Sequence, residues 1–315
     1  AWLELSDECL ALAARTESHP IRLRTHWYRF GAHLMRGDTE RAGQEVESHA
    51  RLTRELRVVV PTALEARMRA TQALIAGQRE QAVEHIQRAF SIDRRTGSPT
   101  AWQSFMGMSG WVLKDWEELS QVAGWFESSR EPYFGWADRP TETMYQLMLR
   151  ELGRTQELRA RFEILAGEDL VAMSRDQQWL VFLAEFSRVC ATLGDRPRGV
   201  ILRGLLEPYA GRHAVDTQLG TYCGPVDAYL GLLAELQDEL DVAVPTFERA
   251  LGQCESAGAV VYATRTREDL ARVLRARGSR GDLQRCRELA EEAAKTAQEL
   301  GLARLETRAR ALLGA

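Results

Sequence analysis

Side chains able to do chemistry are scattered through this 315-residue chain, and few stand at useful spacings. His26 and His33 lie seven apart and so share a helix face, with His19 just upstream, and two imidazoles on one face could begin a zinc site. No cysteine or carboxylate stands at the matching i+4 position, and the neighbours Trp27 and Tyr28 are packing residues. The histidines are therefore expected to be packing or surface groups, with no metal. His213 and Cys223 could act as base and nucleophile only if the fold brings them together. There is no GxxxxGK[ST] loop, no GxGxxG, no HExxH and no GxSxG, so phosphate cradling, dinucleotide binding, zinc proteolysis and the serine-hydrolase elbow lack their usual scaffolds. The expectation is a chain that is not an enzyme and carries no cofactor.

Two local excesses stand out. Arg265, Arg267, Arg272, Arg275, Arg277 and Arg280 form the densest basic run. Arg265 and Arg272 share a helix face, with Glu268 and Asp269 beside them, which reads as a solvated face with intrahelical ion pairs. The other excess is aromatic: Trp102, Trp111, Trp116, Trp125 and Trp136 place five of the eight tryptophans within a short stretch that also holds Phe105, Phe126, Tyr133 and Phe134. Large aromatics supply contact area at low entropy cost, so Trp102, Phe105, Trp111, Tyr133, Phe134 and Trp136 are candidates for a ligand or partner groove. A thinly cored repeat would need the same residues for packing.

The elements that must position these residues follow from a repeated pattern. An apolar or small residue recurs with partners four and seven positions later, as in Ala82, Ile86, Ala89 and in Ala243, Phe247, Ala250, with weaker copies at Leu119, Leu158 and Cys286. Ala42 and Val46 begin another copy, and a degenerate one lies near Gly199. First positions at 42, 82, 119, 158, 199, 243 and 286 give a period of about 40 residues, too long for a strand-based repeat. Positions i, i+4 and i+7 fall on one stripe of an α-helix, where small residues let a neighbouring helix approach. Turn signals precede the copies, among them Gly37-Asp38, Gly77-Gln78, Gly153-Arg154 and Gly194-Asp195. The expected fold is all-α: a tetratricopeptide-like α-α superhelix of about seven helical hairpins. It forms a single elongated domain over residues 1–315 with no central core, and two irregular joints at 129–140 and 207–225.

Composition agrees with a folded protein, at 45% hydrophobic and 27% charged residues. A net charge of −4 offers no general attraction to nucleic acid or to anionic membranes, so neither is an expected partner. No apolar run approaches the ~20 residues of a membrane span and no signal pattern opens the chain, which predicts a cytoplasmic protein. The cysteines at 9, 190, 223, 254 and 286 are odd in number and include no CxxC pair, so they read as buried free thiols. Only Lys114 and Lys295 among the 41 basic residues are lysine. Trp2, Leu5, Cys9 and Leu12 already line one helix face at the start, so the chain is expected to be a fragment of a longer multidomain protein.

Residues 205–275 carry a resemblance. The run Leu206-Glu207-Pro208-Tyr209-Ala210-Gly211-Arg212-His213-Ala214-Val215, then Gly224-Pro225-Val226-Asp227-Ala228-Tyr229-Leu230-Gly231 and Phe247-Glu248-Arg249-Ala250-Leu251, is similar to the C-terminal tetratricopeptide-like region of large bacterial signalling ATPases. Those are the LuxR-type transcriptional regulators and the adenylate/guanylate cyclase-linked ATPases. The likeness continues through Ala263-Thr264-Arg265-Thr266-Arg267 to Asp269-Leu270-Ala271-Arg272, while Asp238-Glu239 departs from the glycine-containing turn expected there. It implies a non-catalytic sensor and protein-interaction domain. A protein, peptide or small effector would bind on the concave surface and bias an ATPase module of the same polypeptide. The alternative is a freestanding helical-repeat scaffold for protein-protein assembly.

Overall fold

Packing stripes and turns build the chain in the order in which the sequence presents them. The computed structural model describes residues 2–57, 61–124, 139–166, 170–171 and 175–314. After α1 (Trp2–Arg15) come α2 (His19–Leu34) with α3 (Thr39–Leu56), α4 (Pro61–Ile75) with α5 (Arg79–Arg95), and α6 (Ala101–Asp115) followed by a 3-10 turn at Leu119–Val122. Then follow α7 (Arg139–Glu151) with α8 (Thr155–Ala166) and α9 (Trp179–Leu193) with α10 (Arg196–Leu206). After a short hairpin come α11 (Val226–Leu236) with α12 (Leu240–Ser256), α13 (Val260–Arg277) with α14 (Asp282–Glu299), and a last helix α15 (Ala303–Ala311). The protein is a tetratricopeptide-like α-α superhelix, with members of each pair packed on one another. The sequence-predicted aromatic joint falls largely on residues 125–138, outside the described ones.

The stripe residues do what their sizes require. Ala82, Ile86 and Ala89, Ala243, Phe247 and Ala250, and Cys286, Ala290 and Ala293 are all buried, and His49 completes the Ala42, Val46 copy in the core. Between paired helices the chain turns at Gly37 and again at Gly194, both at positive φ, and the next residue caps the second helix. Asp38 accepts from the Arg41 amide at 3.0 Å and Asp195 from the Arg198 amide at 3.2 Å. Two repeat turns place a side chain in the same left-handed conformation, Glu117 at φ 58° and Asp238 at φ 61°.

One joint is not irregular. Residues His213–Asp216 and Thr221–Pro225 form a two-stranded antiparallel hairpin, β1 and β2, with Val215 opposite Tyr222 and Asp216 opposite Thr221. The segment reads as strand because it is short, rich in Val, Thr and Tyr, and bounded by Gly211, Gly220 and Pro225. Every residue of both strands is buried. Alternation then divides them between two cores: Val215 and Tyr222 join the cluster around Phe30, Met68, Phe247 and Leu270, while Ala214 and Cys223 join the one around Phe162, Phe186, Leu202 and Tyr229.

Helices from both ends of the chain grip this hairpin. Trp27 of α2 donates its indole N–H to the Thr217 carbonyl at 3.1 Å, and Thr71 of α4 donates to the Gly220 carbonyl at 2.6 Å. From the other side, Tyr262 of α13 reaches the Tyr222 carbonyl at 3.0 Å. Closure continues beyond the hairpin: Trp116 Nε1 donates to the Leu300 carbonyl at 3.0 Å, and Arg304 of α15 donates to the Glu151 carbonyl at 2.8 Å. The expectation of an open array without a central core is therefore corrected. The superhelix winds tightly enough for its last repeats to meet its third and fourth, and the hairpin fills the axis.

Candidate functional site

The superhelix holds a charged cavity of about 580 Å³ that opens to solvent on one side. Its walls come from segments far apart in sequence: Lys114 from α6, Glu117 from the following turn, Arg150 from α7, Glu185 and Arg188 from α9, Glu235 from α11, and Arg308 from α15. From α13, Arg265, Glu268, Asp269 and Arg272 form one helical stripe that points inward. The basic run thus splits by face. Arg265 and Arg272 enter the cavity, whereas Arg267 pairs with Glu255 at 2.6 Å and Arg277 with Asp282 at 2.8 Å. The expectation of a solvated face does not hold for the Arg265 stripe.

Lys114, Glu185 and Arg265 of the wall join a polar node that Asp115 and Tyr262 complete behind it. Lys114, 6% exposed, donates to Glu185 Oε1 at 2.9 Å and to the Tyr262 hydroxyl at 3.3 Å, and its ammonium stands 4.3 Å from the centre of the Trp111 ring. Burial disfavours its charge, but Asp115 and Glu185 outweigh burial and hold the lysine protonated well above its ordinary range. Glu185, with no exposed surface, is pushed up by burial and then pulled below its ordinary value by Lys114 and Arg188. Asp115 accepts from Tyr262 at 3.0 Å and from Arg265 at 3.3 Å. Charges taken out of water need such partners.

Toward the open side the balance is less complete. Arg308 bridges Glu117 at 3.0 Å and Glu268 at 3.4 Å, while Arg272 binds Asp269 at 2.5 Å and also contacts Glu235. Burial and the adjacent Asp269 carboxylate push Glu268 up to about 7, and burial pushes Asp269 up as well. Burial, with Arg188 and Arg265 nearby, pulls Arg150 down to about 10. Such a cavity can hold a polar, charged small molecule or a peptide end through forked guanidinium contacts and carboxylate acceptors.

The candidate groove residues occupy different surroundings. Trp102 is 49% exposed and packs with Phe90 and Phe105, ring centres 5.6 and 5.7 Å away. Trp111 lies nine positions on, facing the opposite side of α6, and is 6% exposed in the core under Lys114. Tyr133, Phe134 and Trp136 lie outside the described residues. Of the six, the structure brings Trp102 and Phe105 together and sets Trp111 apart.

His26 and His33 both turn toward one carboxylate, and only His26 hydrogen-bonds to it. Glu45 of α3 stands 2.7 Å from His26 Nδ1, accepts from Arg29 Nε at 2.7 Å, and lies 3.7 Å from His33 Nε2. Among the described residues no three His, Cys, Asp or Glu side chains are grouped to hold a metal ion. His213 does not meet Cys223; its Nδ1 lies 2.7 Å from the Tyr222 hydroxyl, while Cys223 faces the other core, where burial pushes its thiol far above the ordinary range. All five cysteines are free, and Cys9 is exposed where a buried thiol was expected.

Sequence reasoning missed most of the cavity. Two signals were available: Glu185 and Arg188, i and i+3 inside the apolar run of Trp179–Leu193, and Lys114 as one of two lysines in an arginine-rich chain.

No protein-family model matches the chain, and no curated protein matches it. A solved structure described as the crystal structure of Rap protein complexed with competence and sporulation factor aligns with 99% of this chain and 94% of its own, at 13% identity and a TM-score of 0.49. A likeness that distant says nothing of what this chain binds.

Proposed function

We propose that this chain is a non-catalytic sensor domain whose effector enters the central cavity and sets how tightly the last repeats close on the third and fourth. Supporting this reading is one observation above all: a single cavity is walled by α6, α7, α9, α11, α13 and α15, so any occupant touches both sides of the closure. An occupant that binds the closed arrangement better shifts the population toward it by its differential affinity and by no more. The resemblance of residues 205–275 to signalling ATPases supplies the output: closure biases an ATP-driven switch in the same polypeptide, in a bacterial transcriptional regulator of cytoplasmic residence. Among the described residues, no helix is long and apolar enough to cross a membrane.

The test uses the polypeptide that carries this chain. Tyr262→Phe and Asp115→Asn weaken the junction of α6 and α13, and each is expected to change basal ATP turnover while the protein stays folded. Unchanged turnover in both variants would sink the switch reading. A second reading, a freestanding scaffold, is favoured by the half-exposed Trp102 ring packed with the partly buried Phe90 and Phe105. The sequence adds Tyr133, Phe134 and Trp136 to the candidates for a partner groove. A reading frame without an ATPase module would select the scaffold.

A further inference from the structure

The central cavity contains charges that its walls do not complete. Arg150 lines it and makes no hydrogen bond or ion pair with any described residue, and its Nε is sealed from solvent. The other guanidiniums there are engaged: Arg265 by Asp115 and the Lys114 carbonyl, Arg272 by Asp269 and Glu235, Arg308 by Glu117 and Glu268, Arg196 by Asp238. Arg188 lies over the Tyr229 ring at 5.0 Å and keeps a 3.8 Å contact with Glu185. Around the same space, Glu117 Oε2, Glu185 Oε2 and Glu235 Oε2 are buried without a hydrogen-bond donor. A half-buried cation and three buried acceptor atoms, all left short of partners, are an unusual concentration in one place.

One wall residue also stands in an uncommon backbone conformation. Glu117 holds its carboxylate at the cavity from a left-handed position, φ 58°, where Gly37 and Gly194 serve the corresponding turns of other repeats. Asp238, which also lines the cavity, holds the same conformation at its own turn.

We propose that the cavity binds a small amphoteric ligand, an oxyanion group seated against Arg150 with Arg188 beside it, and N–H or O–H donors satisfying Glu117, Glu185 and Glu235. The cavity's size suits a small molecule, and most of the side chains that line it are charged, with Ala191, Leu232 and Leu236 the apolar ones. Carboxylate and phosphate present the same forked oxygen pair to a guanidinium, so the shared chemistry is the oxyanion. The pull on Arg150 toward losing its proton agrees with an electropositive spot that lacks an anion. This inference rests on the sensor reading only in identifying the occupant with the effector.

Thermal unfolding and calorimetric titration with inorganic phosphate and with L-glutamate, against sodium chloride at matched ionic strength, test it. At least one of the two anions is expected to raise the melting temperature saturably, and the one that acts identifies phosphate or carboxylate as the source. Arg150→Met is expected to raise the melting temperature of the ligand-free protein, because it removes an unpartnered, half-buried cation, and to abolish the anion's effect. Arg188→Gln is expected to weaken binding about tenfold, and Arg285→Gln on the exposed side of α14 to leave it unchanged. Protection by neither anion beyond that of chloride overturns the proposal. So does an Arg150→Met protein that is less stable or fails to fold, since Arg150 would then be a structural group. Anion binding that leaves ATP turnover unaltered would sink the sensor reading and spare this site.

Discussion

The Tyr262 hydroxyl stands 3.0 Å from Asp115 Oδ1, joining helices whose paired residues lie 147 positions apart. It also lies 3.0 Å from the Tyr222 carbonyl and accepts from Lys114 Nζ at 3.3 Å, so one oxygen ties α6, the hairpin and α13. Tyr262→Phe leaves those buried groups short of a partner and is expected to cost about 1–3 kcal/mol in urea unfolding. Faster hydrogen exchange at residues 114–118 should accompany the loss. A cost below about 0.5 kcal/mol would show that closure does not depend on this node.

Lys114 and Glu185 form the buried ion pair in the cavity wall. Lys114→Met or Glu185→Leu alone strands a charge and is expected to cost about 3–5 kcal/mol, whereas the double variant recovers most of that. Denaturant midpoints of the four proteins decide the matter, and additive losses would mean the two groups do not depend on each other.

Trp111 and Trp102 should behave oppositely despite sharing a helix. Trp111→Ala empties a packed site beneath Lys114 and is expected to cost about 3–5 kcal/mol, while Trp102→Ala removes a half-exposed ring and is expected to cost under about 1 kcal/mol. Selective loss of partner binding in Trp102→Ala would support the aromatic groove. Equal destabilisation by the two would remove it.

Burial pulls His213 down to about 4 from an ordinary 6.5. The unfolded chain therefore takes up a proton as pH falls below 6.5 and the folded protein does not until about 4, so the stability that the neutral imidazole contributes is complete above 6.5 and is lost on acidification. Glu268 acts in the opposite sense, since its raised value makes the fold more stable below 4.5 than at 7. His213→Asn removes the first contribution alone. Its penalty relative to wild type is expected to shrink by about 3 kcal/mol between pH 7 and pH 4 in urea titrations. A penalty independent of pH would contradict a buried neutral His213.

The repeat was legible because each copy carries its own packing stripe; Ala82, Ile86 and Ala89 meet their neighbours through local geometry alone. Glu185 and Arg188, by contrast, show in the sequence only as charges inside an apolar helix. Nothing local says that Lys114 and Tyr262 will face them, because the small rotation from each repeat to the next must accumulate over several units before those residues meet. The same accumulation turned the Arg265 stripe inward. The hairpin was hidden for another reason: strands of four and five residues are too short for alternation to show, and the glycines that bound them read equally as a loop.

An ordinary helical array folds from neighbour to neighbour and tolerates loss of its last unit. Here the hairpin at 213–225 bonds to Thr71, 149 positions earlier at Gly220, and to Trp27, 190 positions earlier at Thr217. It is also covered by Tyr262, which is synthesised later. On the ribosome the first repeats must therefore wait, with one face bare, until the central strands emerge, and completion waits again for α13. The chain gains one all-or-none transition where neighbouring repeats would have given a graded one, and it folds at the slower pace set by distant contacts. Truncation after residue 257 should release a protein that has lost its first repeats as surely as its last.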